Sequence, residues 1–215
     1  MMSKKVAFYT LGCKVNQYES AAMAELFEKR GYEIVDFNTK ADVYVINTCD
    51  ITNESGRKSR QITRRAIRKN PSAEIVVVGC YSQLKPDQVL AIPGVSVVMG
   101  TSNRHLIVDL VEKTKSDDKP VTIVDDIKKQ RTFEEIATKG HRQKTRAFLK
   151  IQDGCNMFCS YCIIPYARGP IRSRNIDNIL AETDCLSKQG FKEIVLTGIH
   201  LGLYGYDFKT GQPSL

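Results

Sequence analysis

Residues 43–80, VYVINTCDITNESGRKSRQITRRAIRKNPSAEIVVVGC, decide the fold. VYVINT and EIVVVG are short apolar runs with little alternation, as expected of strands buried on both faces, and a basic stretch with helical spacing separates them. A strand, a helix and a second such strand make a parallel crossover unit. The pattern extends in both directions. Upstream lie VAFYTL, a helix from about Tyr18 to Arg30 ended by Gly31, and YEIVDF; downstream lie a short helix after Pro86, VSVVMG, another short helix and VTIVDD. Residues 1–126 therefore predict an α/β domain with a flavodoxin-like parallel sheet.

Residues 127–144 are rich in charge and poor in periodic apolar positions, and read as a basic linker. A second unit over 145–215 starts at AFLKIQ, passes a cysteine-rich loop, forms a helix from about Asp177 to Gln189 and reaches a strand at EIVLTG. This is one βαβ unit. A barrel begun here cannot close within 215 residues.

The 42% apolar composition suits a chain with a real core, and no run of about 18 apolar residues is present to suggest a membrane partner. MMSKKVAFYT lacks the apolar core of a signal peptide, so the expected location is the cytoplasm. Seven cysteines, an odd number in a chain read as cytosolic, point to ligands or reactive thiols before disulfides. The formal charge of +8 is concentrated: residues 127–174 hold 11 Lys and Arg against 3 Asp and Glu. That zone suits a polyanion such as nucleic acid, and equally a solvated linker.

Cys155, Cys159 and Cys162 stand in CNMFCSYC, a C-x3-C-x2-C spacing directly after a predicted strand. Three thiolates so spaced can wrap one iron–sulfur cubane and leave its fourth iron open, whereas structural zinc normally takes four closed ligands. A zinc-binding or redox-inert loop is the plain alternative. Cys13, Cys49 and Cys80 each fall just past a predicted strand: VAFYTLGC, VYVINTC and EIVVVGC. In an open parallel sheet the carboxyl ends of the strands share one edge, where ligands bind. A single free cysteine is often only a small core residue, but the repeated position predicts a second three-cysteine centre. Cys185, inside the last helix beside Leu186, reads as packing.

The loop, with Tyr161 just before its last cysteine, resembles the radical S-adenosylmethionine superfamily. That resemblance implies Tyr161 against the adenine of the cofactor and Gly198, in VLTGIH, near its amino group. Together, TLGCKVNQYES, INTCDIT, VVGCYSQ, IPGVSVVMGT and KIQDGCNMFCSYCIIPYARGPIRSR resemble the methylthiotransferases, in which a three-cysteine domain precedes the radical domain. Lys14-Val15-Asn16 and Ala167 most resemble the branch acting on N6-threonylcarbamoyladenosine in tRNA, beside branches acting on isopentenyladenosine or a ribosomal-protein aspartate. The resemblance implies two 4Fe-4S clusters, S-adenosylmethionine, a reducing electron donor and the anticodon stem-loop of tRNA. One cluster would carry the sulfur, and the other would generate the radical that activates C2 of the adenine. It also implies the start of a partial β/α barrel over 145–215, so that the chain looks like an N-terminal portion without independent activity. A non-enzymatic iron–sulfur module is the alternative of another class.

In the helix after Cys49, Arg57, Arg60, Arg64 and Arg68 share one face, while Ile62, Ala66 and Ile67 point to the core. That face is a candidate for RNA phosphates, against a solvated surface helix. Arg168, Arg172 and Arg174 in ARGPIRSR are candidates for substrate phosphates or the cofactor carboxylate. His105, His141 and His200 have no metal-ligand spacing.

Overall fold

The structure is a computed structural model that describes residues 3–114, 120–136, 138 and 145–208. It divides into two units: residues 1–12 with 23–125, and residues 13–22 with 126–215.

The first unit is built on six parallel strands, β1 (Lys5–Thr10), β2 (Glu33–Val35), β3 (Val43–Thr48), β4 (Glu74–Gly79), β5 (Val97–Met99) and β6 (Val121–Ile123), in the order β2-β1-β3-β4-β5-β6. This is the flavodoxin-like sheet expected from the sequence. Every residue of β3 is buried because both faces are covered. On one face Tyr44, Ile46, Ile75 and Val77 pack with Ile62 and Ala66 of α2 (Asn53–Lys69). On the other, Val43, Val45, Val76 and Val78 pack with Met23 and Phe27 and with Ile107 and Val111 of α5 (Ile107–Thr114), which follows the short helices α3 (Cys80–Leu84) and α4 (Pro86–Leu90). The helix α2 starts at a capping box: Thr52 accepts from the Ser55 N–H, and the Ser55 hydroxyl accepts from the Thr52 N–H. It stops at Asn70, before Pro71.

Helix α1 runs Lys14–Lys29, one turn earlier than the pattern predicts. The Gln17 N–H reaches the Cys13 carbonyl, so the helix begins directly after Gly12, which turns the chain at φ +97°. The sequence pattern hid this turn because its inward residues, Asn16 and Glu19, are polar yet buried.

In the second unit, β7 (Arg146–Lys150) and β10 (Glu193–Thr197) pair in parallel, joined through α7 (Ile176–Lys188), whose cap Asn175 accepts from the Asp177 N–H. Leu149, Ile151, Ile179 and Tyr204 form its small apolar core. Two short strands, β8 (Gln152–Asp153) and β9 (Arg172–Ser173), pair antiparallel on either side of the cysteine loop in sequence. The stretch expected to be an irregular linker opens with a tight turn, Ile127–Lys129, and Ile127 is buried; residues 137 and 139–144 lie outside the described residues. Cys185 is half-buried, not core: Leu186 takes the inward position, and the Cys185 thiol accepts from Gln189 Nε2.

Candidate functional site

The loop that carries Cys155, Cys159 and Cys162 leaves β8 through Gly154, at φ +73°, and returns through α6 (Ile164–Arg168) to Gly169, at φ +69°. Its base is closed by two hydrogen bonds: the Cys155 N–H donates to the Gly169 carbonyl at 3.0 Å, and the Asn156 side-chain Oδ1 accepts from the Ile171 N–H at 3.1 Å. Both glycines are needed, since a Cβ on Gly154 or Gly169 would run into the Pro170 or the Ile127 carbonyl. At the tip, Phe158 has φ +45° and the Cys162 N–H bonds to the Cys159 carbonyl at 2.9 Å, a tight turn between two of the thiols. Cys155 is buried, Cys162 half-buried and Cys159 exposed; all three are free.

Among the described residues no three His, Cys, Asp or Glu side chains are already gathered around one point. The fit of a cluster therefore rests on the donor set and the loop: three free soft thiols on eight residues, fixed at the base and open at the tip. Tyr161 is 91% exposed. Gly198 follows β10, where a Cβ would stand 2.9 Å from Gln152 Oε1. Gln152, which the sequence reading passed over, ties this turn to the loop: its Oε1 accepts from the Ile199 and His200 N–H groups, and its Nε2 donates to the Asp153 and Gly154 carbonyls.

The arginines expected to meet phosphates or cofactor lie inside the second unit. Arg168, Arg172 and Arg174 are each at most 3% exposed. Arg168 donates to Glu19 and Asn16, Arg172 pairs with Asp153, and Arg174 pairs with Glu182 and Glu135. Against the expectation of exposed phosphate-binding side chains, all three are buried and their charge is matched by neighbouring acids. Burial opposes ionisation of Asp153, yet Lys150, Arg168 and Arg172 hold its carboxyl well below the usual range. Burial and then Glu182 push the Tyr18 phenol far above its ordinary value. Nothing in composition signalled these buried acids; only the polar residues N-Q-Y-E after Cys13 hinted at them.

In the first unit, Thr48 and Gly79 are register partners at the carboxyl ends of β3 and β4, and Cys49 and Cys80 follow them directly. Both cysteines are buried, and neither is in a disulfide. The Cys49 carbonyl accepts from Ser59 Oγ, and Asp50 pairs with Lys85 at 2.9 Å. Cys13 follows β1 by three residues, caps the start of α1 and is exposed. Of the α2 arginines, Arg57 is paired with Glu54, and Arg60 donates to the Tyr81 hydroxyl and lies over its ring. Arg64 and Arg68 are exposed. His105 and His200 are exposed, and His141 lies outside the described residues. Among the described residues no helix is long and apolar enough to cross a membrane.

Two family models match the chain: the uncharacterized protein family UPF0004 over residues 5–100 and the radical SAM superfamily over residues 149–209. The threonylcarbamoyladenosine tRNA methylthiotransferase MtaB of Bacillus subtilis is 50% identical over 204 residues, 95% of this chain and 45% of the relative. The protein of the same name from Aquifex aeolicus is 40% identical over 94% of this chain and 50% of its own length. A tRNA-2-methylthio-N(6)-dimethylallyladenosine synthase of Pseudothermotoga lettingae is 32% identical over 96% of this chain and 47% of its own length. The chain thus spans about half the length of the curated relatives it matches. The fold is shared with the radical S-adenosylmethionine methyltransferase TsrM of Kitasatospora setae, with a TM-score of 0.61 at 15% identity over 95% of this chain and 49% of that one. The two models match residues 5–100 and 149–209, and along nearly its whole length the chain is similar to about half of each of the methylthiotransferases named above.

Proposed function

We propose that the chain serves in a tRNA methylthiotransferase that converts N6-threonylcarbamoyladenosine, next to the anticodon, to its 2-methylthio form. The observation that carries this reading is the joint presence of a three-thiol loop after β7 and β8 and of single thiols after β1, β3 and β4, in a chain 50% identical to a threonylcarbamoyladenosine methylthiotransferase. Identity to the dimethylallyladenosine relative is lower, at 32%, which favours the threonylcarbamoyl branch.

Cys155, Cys159 and Cys162 would hold one 4Fe-4S cluster, and Cys13, Cys49 and Cys80 the other. When bound, the clusters and S-adenosylmethionine supply electron transfer, radical formation and the sulfur that is inserted. The chain's own residues hold and orient these groups. Tyr161 offers an aromatic face to the adenine, and the turn at Gly198, fixed by Gln152, offers backbone to the cofactor's amino group. Arg64 and Arg68 present fixed positive charge to anticodon-stem phosphates. The expected setting is the cytoplasm, with a reducing electron donor.

The test is an anaerobic assay of the full-length protein with reductant, S-adenosylmethionine and tRNA carrying either threonylcarbamoyladenosine or dimethylallyladenosine, read by mass spectrometry of the nucleosides. Methylthio product from the first tRNA alone is expected. Product from the second alone overturns the substrate, and absence of both product and 5'-deoxyadenosine overturns the activity.

A further inference from the structure

Arg168 stands between two thiol-bearing segments of the second unit. Its Nη2 donates to Asn16 Oδ1 at 2.5 Å and to Glu19 Oε2 at 3.1 Å; its Nη1 donates to Glu19 Oε1 at 2.6 Å and to both Asp153 oxygens at 3.4 Å. One end of this bridge touches a cysteine, and the other holds the backbone beside one. Asn16 Oδ1 accepts from Cys13 Sγ at 3.8 Å. Asp153 Oδ1 accepts from the Gly154 N–H at 2.9 Å, the amide before Cys155, and the residue after Arg168, Gly169, accepts from the Cys155 N–H. Lys150 runs parallel to the bridge, with Glu19 at 2.8 Å and Asp153 at 2.6 Å. None of these charged side chains is more than 4% exposed.

Burying so many charges is a poor way to gain stability alone, because their desolvation consumes much of what their attraction returns and apolar side chains of similar volume would do as well. What charged hydrogen bonds add is direction. A planar guanidinium fixes several acceptors at once at set angles, which neither an apolar contact nor the point charge of lysine can do.

We infer that Arg168 is a positioning residue that holds the Cys13 end of α1 in register with the base of the Cys155 loop, so that a disturbance at either segment is felt at the other. Its functional meaning rests on the proposed ligand roles of Cys13 and Cys155, whereas the register itself does not. In the reading above, both thiols belong to centres that must act on one substrate, and Arg168 is the group that keeps their two segments in one frame.

The test is hydrogen–deuterium exchange on the cluster-free, reduced chain with a substitution at each end of the bridge. Asn16→Ala should speed exchange at the Gly154–Asn156 amides, and Asp153→Asn should speed it at the Gln17–Ser20 amides, each by about fivefold or more if a charged hydrogen bond is lost. Arg168→Lys should loosen both segments despite keeping its charge, while the amides of β4 and α5 stay unchanged. Changes confined to the substituted segment in both end variants would overturn the inference, and those two variants decide it even if the Arg168 variant does not fold. A second reading uses the anaerobically reconstituted chain: Asn16→Ala should alter the electron paramagnetic resonance spectrum of the reduced Cys155 centre at unchanged iron content. Cross-talk in exchange without any iron uptake by the parent chain would support the register and overturn the ligand roles, which separates the two failures.

Discussion

Gly154 and Pro170 meet backbone to backbone: a Cβ on Gly154 would stand 1.9 Å from the Pro170 carbonyl oxygen. Gly154 is also at φ +73°, where an L side chain costs about 1–2 kcal/mol even in open space. Gly154→Ala must therefore move the Pro170 backbone and, with it, the bond from the Cys155 N–H to the Gly169 carbonyl. The expected outcome is a lower melting temperature and loss of the iron held by the loop. Thermal melting with an iron assay on the reconstituted chain measures both, and parent-like iron content would contradict the tight base.

Gly56 makes a prediction whose sign runs against propensity. Glycine to alanine inside a helix ordinarily stabilises by roughly 1 kcal/mol. Here the added Cβ would lie 2.6 Å from Asp50 Oδ1, and Asp50 is buried and paired with Lys85. Gly56→Ala should destabilise the chain in urea unfolding, and adding Asp50→Ala should recover part of the loss. A stabilised single variant would show that the Asp50 carboxylate moves aside freely.

Tyr18 gives a pH dependence. Its hydroxyl donates to Glu182 and to the Ile136 carbonyl, and burial, then Glu182, raise its pKa far above the ordinary value of 10.0. The phenol thus stays protonated in the folded chain while the unfolded chain releases its proton above pH 10. Stability must fall as pH rises past 10, by at most about 1.4 kcal/mol per pH unit from this group. Tyr18→Phe should start less stable at pH 8 and lose less between pH 9.5 and 11, as urea midpoints at each pH would record. Parallel losses in the two chains would remove Tyr18 as the cause.

The sheet was legible because burial on both faces leaves an unmistakable mark: VYVINT and EIVVVG are apolar runs punctuated by helices. Cysteine spacing was equally legible, since three thiols on eight residues of one loop need no tertiary information. The arginines were not. Arg168 and Arg64 look alike in sequence, yet one is fully buried against Glu19 and the other is exposed, because Glu19 lies 149 residues from Arg168 along the chain. The early start of α1 was missed for the same reason: Asn16 and Glu19 break its apolar period, and their partners come from distant sequence.

The exposed arginines of α2 test the RNA contact. Changing Arg64 and Arg68 to Glu in the full-length protein should weaken tRNA binding and reduce the logarithmic salt slope by roughly one per lost phosphate contact. Arg57→Gln should do less, since Arg57 is already paired with Glu54. Filter binding across a salt series supplies the slope. An unchanged slope would assign α2 to solvent.

Iron counting tests whether the six thiols form two centres or one. If Cys13, Cys49 and Cys80 serve one cluster and Cys155, Cys159 and Cys162 another, the reconstituted chain should hold about eight irons, and either Cys49→Ala or Cys159→Ala should leave roughly four. Sulfide should fall in step. The two substitutions act on separate ligand sets, so the double variant should hold almost none. If instead all six thiols fed one centre, either single variant would lose most of the iron. Cys185→Ala is the control: its thiol sits on α7, accepts from Gln189 and should not change the count. Reduced samples give an independent check, because each single variant should retain one cluster signal and the two signals should differ. A Cys49→Ala chain with full iron would remove Cys49 from the ligand set.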